Sequence, residues 1–285
     1  MSIRNYLKQL QQLAITIGFS RSRYRFFLKS SIAGIDEKSR RLIAATDYYG
    51  TDIRPISTAA PFGQSMLVLA PHQDDEAIGC GGAMALQVES GGRLTTVVLQ
   101  DGGSEHLAVN MTRDALTQLR NQESTNAAAV LGLPAPTFLN LQSLSASHVD
   151  AVNFLRRLIA EQRVDAIFTP HILDDHIDHR STNLILADAL CGISHDVRVF
   201  GYEVWGLAVP NVIVPIDRVV HKKMDMLRCF PFANSAVDYL NATIGLNMYR
   251  SRLLPVDEAK YAECFFEINK TDFIDMVSSV ISQRG

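Results

Sequence analysis

The sequence predicts an α/β fold, a Rossmann-like, mostly parallel sheet with helices on both faces. Two observations predict it. From Pro61 onward, short apolar runs of strand length alternate with stretches of helix length, the pattern of consecutive βαβ units. The first of these runs, such as Met66-Leu67-Val68-Leu69-Ala70, are apolar throughout, as strands buried on both faces of a parallel sheet are. The size agrees: 285 residues make one large domain or two small ones, and 47% hydrophobic with 20% charged residues is enough for a sizeable core.

Taken in order, residues 1–62 read as a basic, partly helical N-terminal extension and residues 63–285 as the main domain. From Met1 to Ile35 there are six Lys or Arg and no acid, with Ile3, Tyr6, Leu7, Leu10, Leu13, Ala14 and Ile17 at helical spacing. Such a helix either lies on a membrane or partner through its basic face or packs on the main domain with that face in water. Packing is the preferred reading because packed amphipathic helices are the commoner kind. Contact with an anionic lipid surface or a lipid-linked substrate stays open.

Ser65 to Pro71 is then a buried strand, and Asp75 to Ser90 a helix stopped by Gly91-Gly92. Leu94 to Gln100 is a second strand. Thr112 to Leu131 is a helix stopped by Gly132 and Pro134. Thr137 to Leu141 (strand), His148 to Gln162 (helix), Ala166 to Pro170 (strand) and Ser181 to Leu190 (helix) continue the alternation. Arg198 to Trp205 and Asn211 to Ile216 read as further strands.

Whole-chain properties narrow the function. A net charge of −3 recruits no nucleic acid. The four cysteines, Cys80, Cys191, Cys229 and Cys264, form no CxxC pair, so neither a zinc knuckle nor a disulfide framework is indicated. A reduced, cytoplasmic setting is the simplest reading. The longest apolar runs fall far short of the roughly 20 residues that span a bilayer, and the N-terminus shows no signal core.

Ligands of open α/β sheets bind beyond the carboxyl ends of the strands. The first strand runs into Pro71-His72-Gln73-Asp74-Asp75-Glu76, and the fourth into His171 through His179, which holds three histidines and three aspartates in nine residues. Asp74 or Asp75 in the role of helix cap explains part of the first cluster, but not why His72 precedes them. The second cluster would be costly to bury without a metal or a proton-transfer role. Two imidazoles and a carboxylate suit catalytic zinc, and also the open face of ferrous iron. A second carboxylate beside the site serves as general base, and a further histidine stabilises a developing oxyanion.

Ala70-Pro71-His72-Gln73-Asp74-Asp75-Glu76, followed by Gly79-Cys80-Gly81-Gly82, resembles the signature of the PIG-L/LmbE-like de-N-acetylase family. His176-Ile177-Asp178-His179-Arg180 is similar to its second signature, H-x-D-H-R, Arg120 to Glu123 to its R-x-x-E helix, and Tyr261-Ala262-Glu263-Cys264-Phe265 to its closing stretch. The resemblance covers roughly residues 65–266 and implies an LmbE-like fold. It implies His72, Asp75 and His179 as ligands of Zn2+ (Fe2+ being the alternative), Asp74 as general base and His176 as acid or oxyanion stabiliser. It further implies Asp178 as a group orienting an imidazole and Arg120 as a substrate contact. The implied activity is release of acetate from an N-acetylglucosamine-type amino sugar or its conjugate. Two classes stand beside it: an amidase of a sugar–thiol conjugate or other small amide, and a metal-dependent phosphoesterase with two ions. A non-catalytic binding protein is disfavoured because ligands and base are all present. Cys229 to Ser235 departs from the family, which carries a histidine there.

The other polar residues have plainer readings. Asp101-Gly102-Gly103-Ser104 borders the pocket or is an ordinary turn. Cys80 packs. His171 lines the pocket or bonds backbone, and Asp174 and Asp175 are acids of the loop or of the site's surroundings. Trp205, with Tyr202 and Glu203, stacks on a sugar ring or fills the core, core being the preferred reading, and His148, His195 and His221 are read as surface or capping residues.

Overall fold

The structure is a computed structural model and describes residues 55–103, 111–255 and 257–280. The basic N-terminal helix read from residues 1–35, and Ser104, lie outside the described residues. The described residues belong to one compact unit, Asp52–Gly285.

The architecture is a single eight-stranded sheet flanked by helices. Its strands are β1 (Ile56–Ser57), β2 (Ser65–Ala70), β3 (Arg93–Gln100), β4 (Thr137–Leu141), β5 (Ala166–Pro170), β6 (Arg198–Tyr202), β7 (Val212–Pro215) and β8 (Ala262–Asn269). Across the sheet they run β1-β7-β8-β6-β5-β2-β3-β4. All pairs are parallel except those of β8, which runs antiparallel between β6 and β7. Every residue of β2 and β5 is buried, as central strands covered on both faces require. β1 pairs with β7 through Ile56↔Val212, and Phe62 is buried in the core against Phe168 and Phe200. The sheet domain therefore takes in residues that the change in composition assigned to the extension.

β2 and β5 are neighbours, in register Met66↔Ala166. The chain leaves β2 toward β3 and β4 on one side, and β5 toward β6 on the other. The strand order reverses between β2 and β5, and a crevice opens beyond their carboxyl ends. Two helices leave that crevice. α1 (Asp75–Glu89) follows β2, and α4 (Ile177–Leu190) follows β5. Between them in the chain come α2 (Arg113–Val130) and α3 (His148–Glu161). Then follow α5 (Val220–Arg228), α6 (Pro231–Ala236), α7 (Tyr239–Ser251) and α8 (Lys270–Val280).

α1 is broken at Cys80, whose φ of −144° and ψ of 21° leave the helical range. Flanking glycines allow the break and a close approach to the sheet: a Cβ on Gly79 would come within 2.1 Å of the Tyr202 ring. The amides of Gly82 and Ala83 donate to the two oxygens of Glu263 on β8, each at 2.8 Å. Lys223 of α5 neutralises that buried acid, its Nζ 2.5 Å from Glu263 Oε1 and 2.9 Å from the Ile78 carbonyl. The start of α1, where the first cluster lies, is thus pinned by β8 and α5.

Candidate metal centre

The loop from β2 to α1 presents His72, Asp74 and Asp75, and the loop from β5 to α4 presents Asp174, His176, Asp178 and His179. The fold brings both clusters to one place. One ring nitrogen from each of His72, His176 and His179 can be chosen so that all three lie within 4.8 Å of one another. Asp75 Oδ2 stands in the middle, 3.2 Å from His72 Nδ1 and 3.3 Å from His179 Nε2.

Each of these two imidazoles has its own carboxylate behind it. Asp178 Oδ2 is 3.2 Å from His72 Nε2, and Asp174 Oδ1 is 3.1 Å from His179 Nδ1. Both rings therefore turn their second nitrogen toward Asp75. Carboxylate–imidazole pairs of this form fix tautomer and orientation at metal sites. His179 is fully buried, yet neither ring nitrogen has a hydrogen-bond partner; the carboxylates are near enough for charge but out of line. A buried imidazole with both nitrogens unsatisfied is costly, and a cation between His72, Asp75 and His179 would use the open one. The donor set fits a divalent metal of the zinc type.

His176 stands differently. It is the N-cap of α4, its Nδ1 accepting from the Asp178 amide at 3.2 Å. With Nδ1 an acceptor, the neutral ring carries its proton on Nε2. Burial, then the charges of His72 and His179, hold its pKa below the ordinary histidine value. It is a neutral donor beside the cluster.

Asp74 occupies the N-cap position of α1, but its side chain caps nothing, and its φ of 125° is rare for any residue but glycine. Backbone held there costs of order 1–3 kcal/mol. The strain turns the carboxylate into the site, where Arg120 Nη2 approaches to 3.5 Å. Burial, then the charge of Asp75, raises Asp74 to about 8, with Arg120 and His72 opposing. Burial lowers His72 and His179, but their carboxylate partners outweigh it and bring them to about 9 and about 10. Burial works against the Asp75 charge, and His179 and His72 still hold Asp75 well below its ordinary value. A cation bound between these groups would have to displace the protons that His72 and His179 hold at neutral pH.

Arg120, expected at the substrate, is buried and bonds the carbonyls of Gln73 (2.9 Å) and Gly102 (3.3 Å). Its guanidinium is directed at Asp74 and the loop that carries it. Glu76 braces the same loop, accepting from the Asp74 amide and the Ser124 hydroxyl. Asp101-Gly102-Gly103 is a turn: Gly102 has φ +64°, and Asp101 accepts from the Gly103 amide and from Arg113.

Asp174 belongs to the site's surroundings, one of its two sequence readings: fully buried, it lies 3.1 Å from His179 Nδ1 and accepts from the amides of His176, Trp205 and Gly206. Trp205 is not core; it is 55% exposed and stacks near His176, ring centroids 6.4 Å apart at 30°. Tyr239, at the start of α7, stands edge-on to Trp205 at 6.3 Å. Burial and the charges of Asp74 and Asp75 push its phenol up to about 12, so it stays a neutral donor. Its position gave no sequence signal, because α7 comes from a stretch without strand–helix alternation.

A cluster of imidazoles and carboxylates at the switch point of a parallel α/β sheet defines a class: a candidate metal site on a Rossmann-like scaffold. Comparison with known proteins makes it particular. The family described as PIG-L, GlcNAc-PI de-N-acetylase, matches residues 67–190, the stretch that carries both clusters. An uncharacterized deacetylase, YaiS, of Escherichia coli K12 is 28% identical over 160 residues, 52% of this chain and 80% of that protein. Among solved structures, the N,N'-diacetylchitobiose deacetylase of Pyrococcus horikoshii is similar with a TM-score of 0.62 at 17% identity, over 83% of this chain and 94% of that one. The 4-carboxy-2-hydroxymuconate hydratase GalB of Pseudomonas putida reaches 0.61 at 20% identity, over 72% and 95%. These structural likenesses establish the LmbE-like fold. That the fold also serves a hydratase shows that activity must be argued from the site.

Proposed function

We propose that the protein is a metal-dependent hydrolase that removes the acetyl group from an N-acetylglucosamine-type amino sugar or its conjugate. The observation that carries this is the array Asp178–His72–Asp75–His179–Asp174, with the carboxylate of Asp74, which caps no helix, held beside it under backbone strain. His72, Asp75 and His179 would hold the cation, Zn2+ or Fe2+. When bound there, such an ion lowers the pKa of water and polarises an amide carbonyl.

The chain's own groups supply the rest. Asp74 takes the proton of the attacking water as the C–O bond forms, and Arg120 keeps its carboxylate in place. Nε2–H of His176 donates to the oxygen that gains charge as the carbonyl becomes tetrahedral. The proton on Asp74 then passes to the nitrogen as the C–N bond breaks, giving acetate and a free amine. The two-metal phosphoesterase is less well supported. Asp174 is spent on His179 and three backbone amides, and Asp175 is exposed.

The test is Asp74→Ala, assayed for acetate release from a panel of N-acetyl sugars and small amides, with metal content measured alongside. Turnover should fall by at least about 100-fold with metal retained. Loss of metal would make Asp74 a ligand and overturn its role. Wild-type protein that binds metal but releases no acetate from any sugar would overturn the substrate.

A further inference from the structure

Beside the metal cluster, behind Trp205 and Tyr239, lies a cavity of about 250 Å³ that the proposed chemistry does not use. Its wall is largely apolar, with Ile78, Val204 and Leu246 among its lining. The two acids that reach it are already neutralised: Glu203 pairs with Arg250, and Glu263 with Lys223. One buried polar atom of its lining is left unsatisfied. Asn247 is 5% exposed, and its Oδ1 has no partner. A buried carboxamide oxygen without a donor is rare in folded proteins, and here it belongs to a residue lining the cavity.

The cavity is tied to the site. Trp205 and Val237 both line it and are exposed, so they mark its mouth. The Trp205 amide is fixed to Asp174 Oδ2 at 3.1 Å, while Asp174 Oδ1 backs His179. A group entering past Trp205 is therefore held in register with the cluster. An apolar cavity of about 150 Å³ holds a benzene ring, and whole small-molecule sites start at about 300 Å³. The space suits part of a ligand, a ring or a short chain.

We propose that this cavity is a subsite for an uncharged, mainly apolar substituent of the amino-sugar substrate that ends in one hydrogen-bond donor, such as a hydroxyl, which the Asn247 carboxamide oxygen accepts. The inference rests on the deacetylase reading for the sugar. The substituent sits on either the glycosidic oxygen or the acyl group, and two series of compounds tell these apart.

Trp205 is the single tryptophan of the chain, so its fluorescence reports binding without turnover. Alkyl N-acetylglucosaminides from methyl to hexyl, and methyl glucosaminides with N-acyl groups from acetyl to hexanoyl, are titrated into Asp74→Ala protein, which leaves them uncleaved. One series should tighten about fourfold per methylene, the fold-change that burial of a CH2 gives. Ala242→Phe, at an exposed lining position, should abolish that slope and leave the methyl glycoside unchanged. Asn247→Leu should weaken a hydroxyl-terminated chain about fivefold to tenfold relative to the plain chain. Absence of a slope in both series, or a slope that survives Ala242→Phe in protein of unchanged melting temperature, overturns the subsite. A slope in binding with no acetate released by wild-type protein leaves the subsite standing and removes the deacetylase reading instead.

Discussion

Replacing Lys223 by methionine tests how the start of α1 is held. The Lys223 and Glu263 side chains are 0% and 1% exposed, and the Lys223 Nζ donates to Glu263 at 2.5 Å and to the Ile78 carbonyl at 2.9 Å. Methionine keeps most of the volume, so little of the loss comes from a cavity. What remains is a buried carboxylate whose charge is met only by two backbone amides. Breaking one side of a buried ion pair costs about 3–5 kcal/mol, and those amides place Lys223→Met near the lower end. With a urea slope of about 3 kcal/mol per M, the unfolding midpoint should fall by about 1 M. Glu263→Gln completes a double-mutant cycle. The double variant should lose less than the two single losses added, by at least about 1 kcal/mol. A loss below about 1 kcal/mol in Lys223→Met, or strict additivity in the cycle, would refute the view that this pair holds the break at Cys80.

Two further predictions concern the site's surroundings. Burial lowers His171 to about 4, so between pH 6.5 and pH 4 the unfolded chain binds a proton that the folded chain refuses. Stability therefore drops as the pH is lowered through that window, by about 2 kcal/mol from pH 7 to pH 5. His171→Asn should remove that part of the slope in urea melts at the two pH values, and an unchanged slope would show that His171 titrates normally. Asp174→Asn takes away the charge behind His179 and should weaken zinc binding about 10- to 100-fold in competition with a chelator. Unaltered affinity would mean that His179 is oriented by packing alone.

The central βαβ run was legible because each buried strand is a continuous apolar word, such as Ser65–Ala70 or Ala166–Pro170, closed by turn residues. The sequence placed both clusters at strand ends, and the folded chain brings them together at the reversal between β2 and β5. Long-range placement was not legible. β8 was known only as a motif, Tyr261 to Phe265, with nothing local to say that it inserts antiparallel between β6 and β7. α4 begins at Ile177, four residues before the helix read from Ser181, because His176 and Asp178 look like loop residues until the imidazole is seen to cap the helix. For Trp205 the sequence leaves a core and a sugar-stacking reading open and favours core. Only the stacking near His176 and the hold of Asp174 on its amide reveal a wall of the site. Arg120 was assigned outward by a motif, and its burial against Asp74 depends on a loop nearly fifty positions earlier in the chain.

The place of β8 in the sheet sets the order of events during synthesis. β2 and β5, with both histidine clusters, lie before residue 190 and can pair while β8 is still unmade. Their sheet stays open on the β6 side until residues 262–269 arrive and slot between two strands already made. Glu263 travels on that last strand, so the broken turn of α1 waits, its amides bare, for an acid nearly two hundred residues downstream. Non-local closure of this kind is slow and exposes strand edges meanwhile. A nascent chain could thus assemble its imidazoles early and still lack a firm seat for Asp74 and Asp75. Activity would switch on late, with the arrival of a strand that carries none of the catalytic groups.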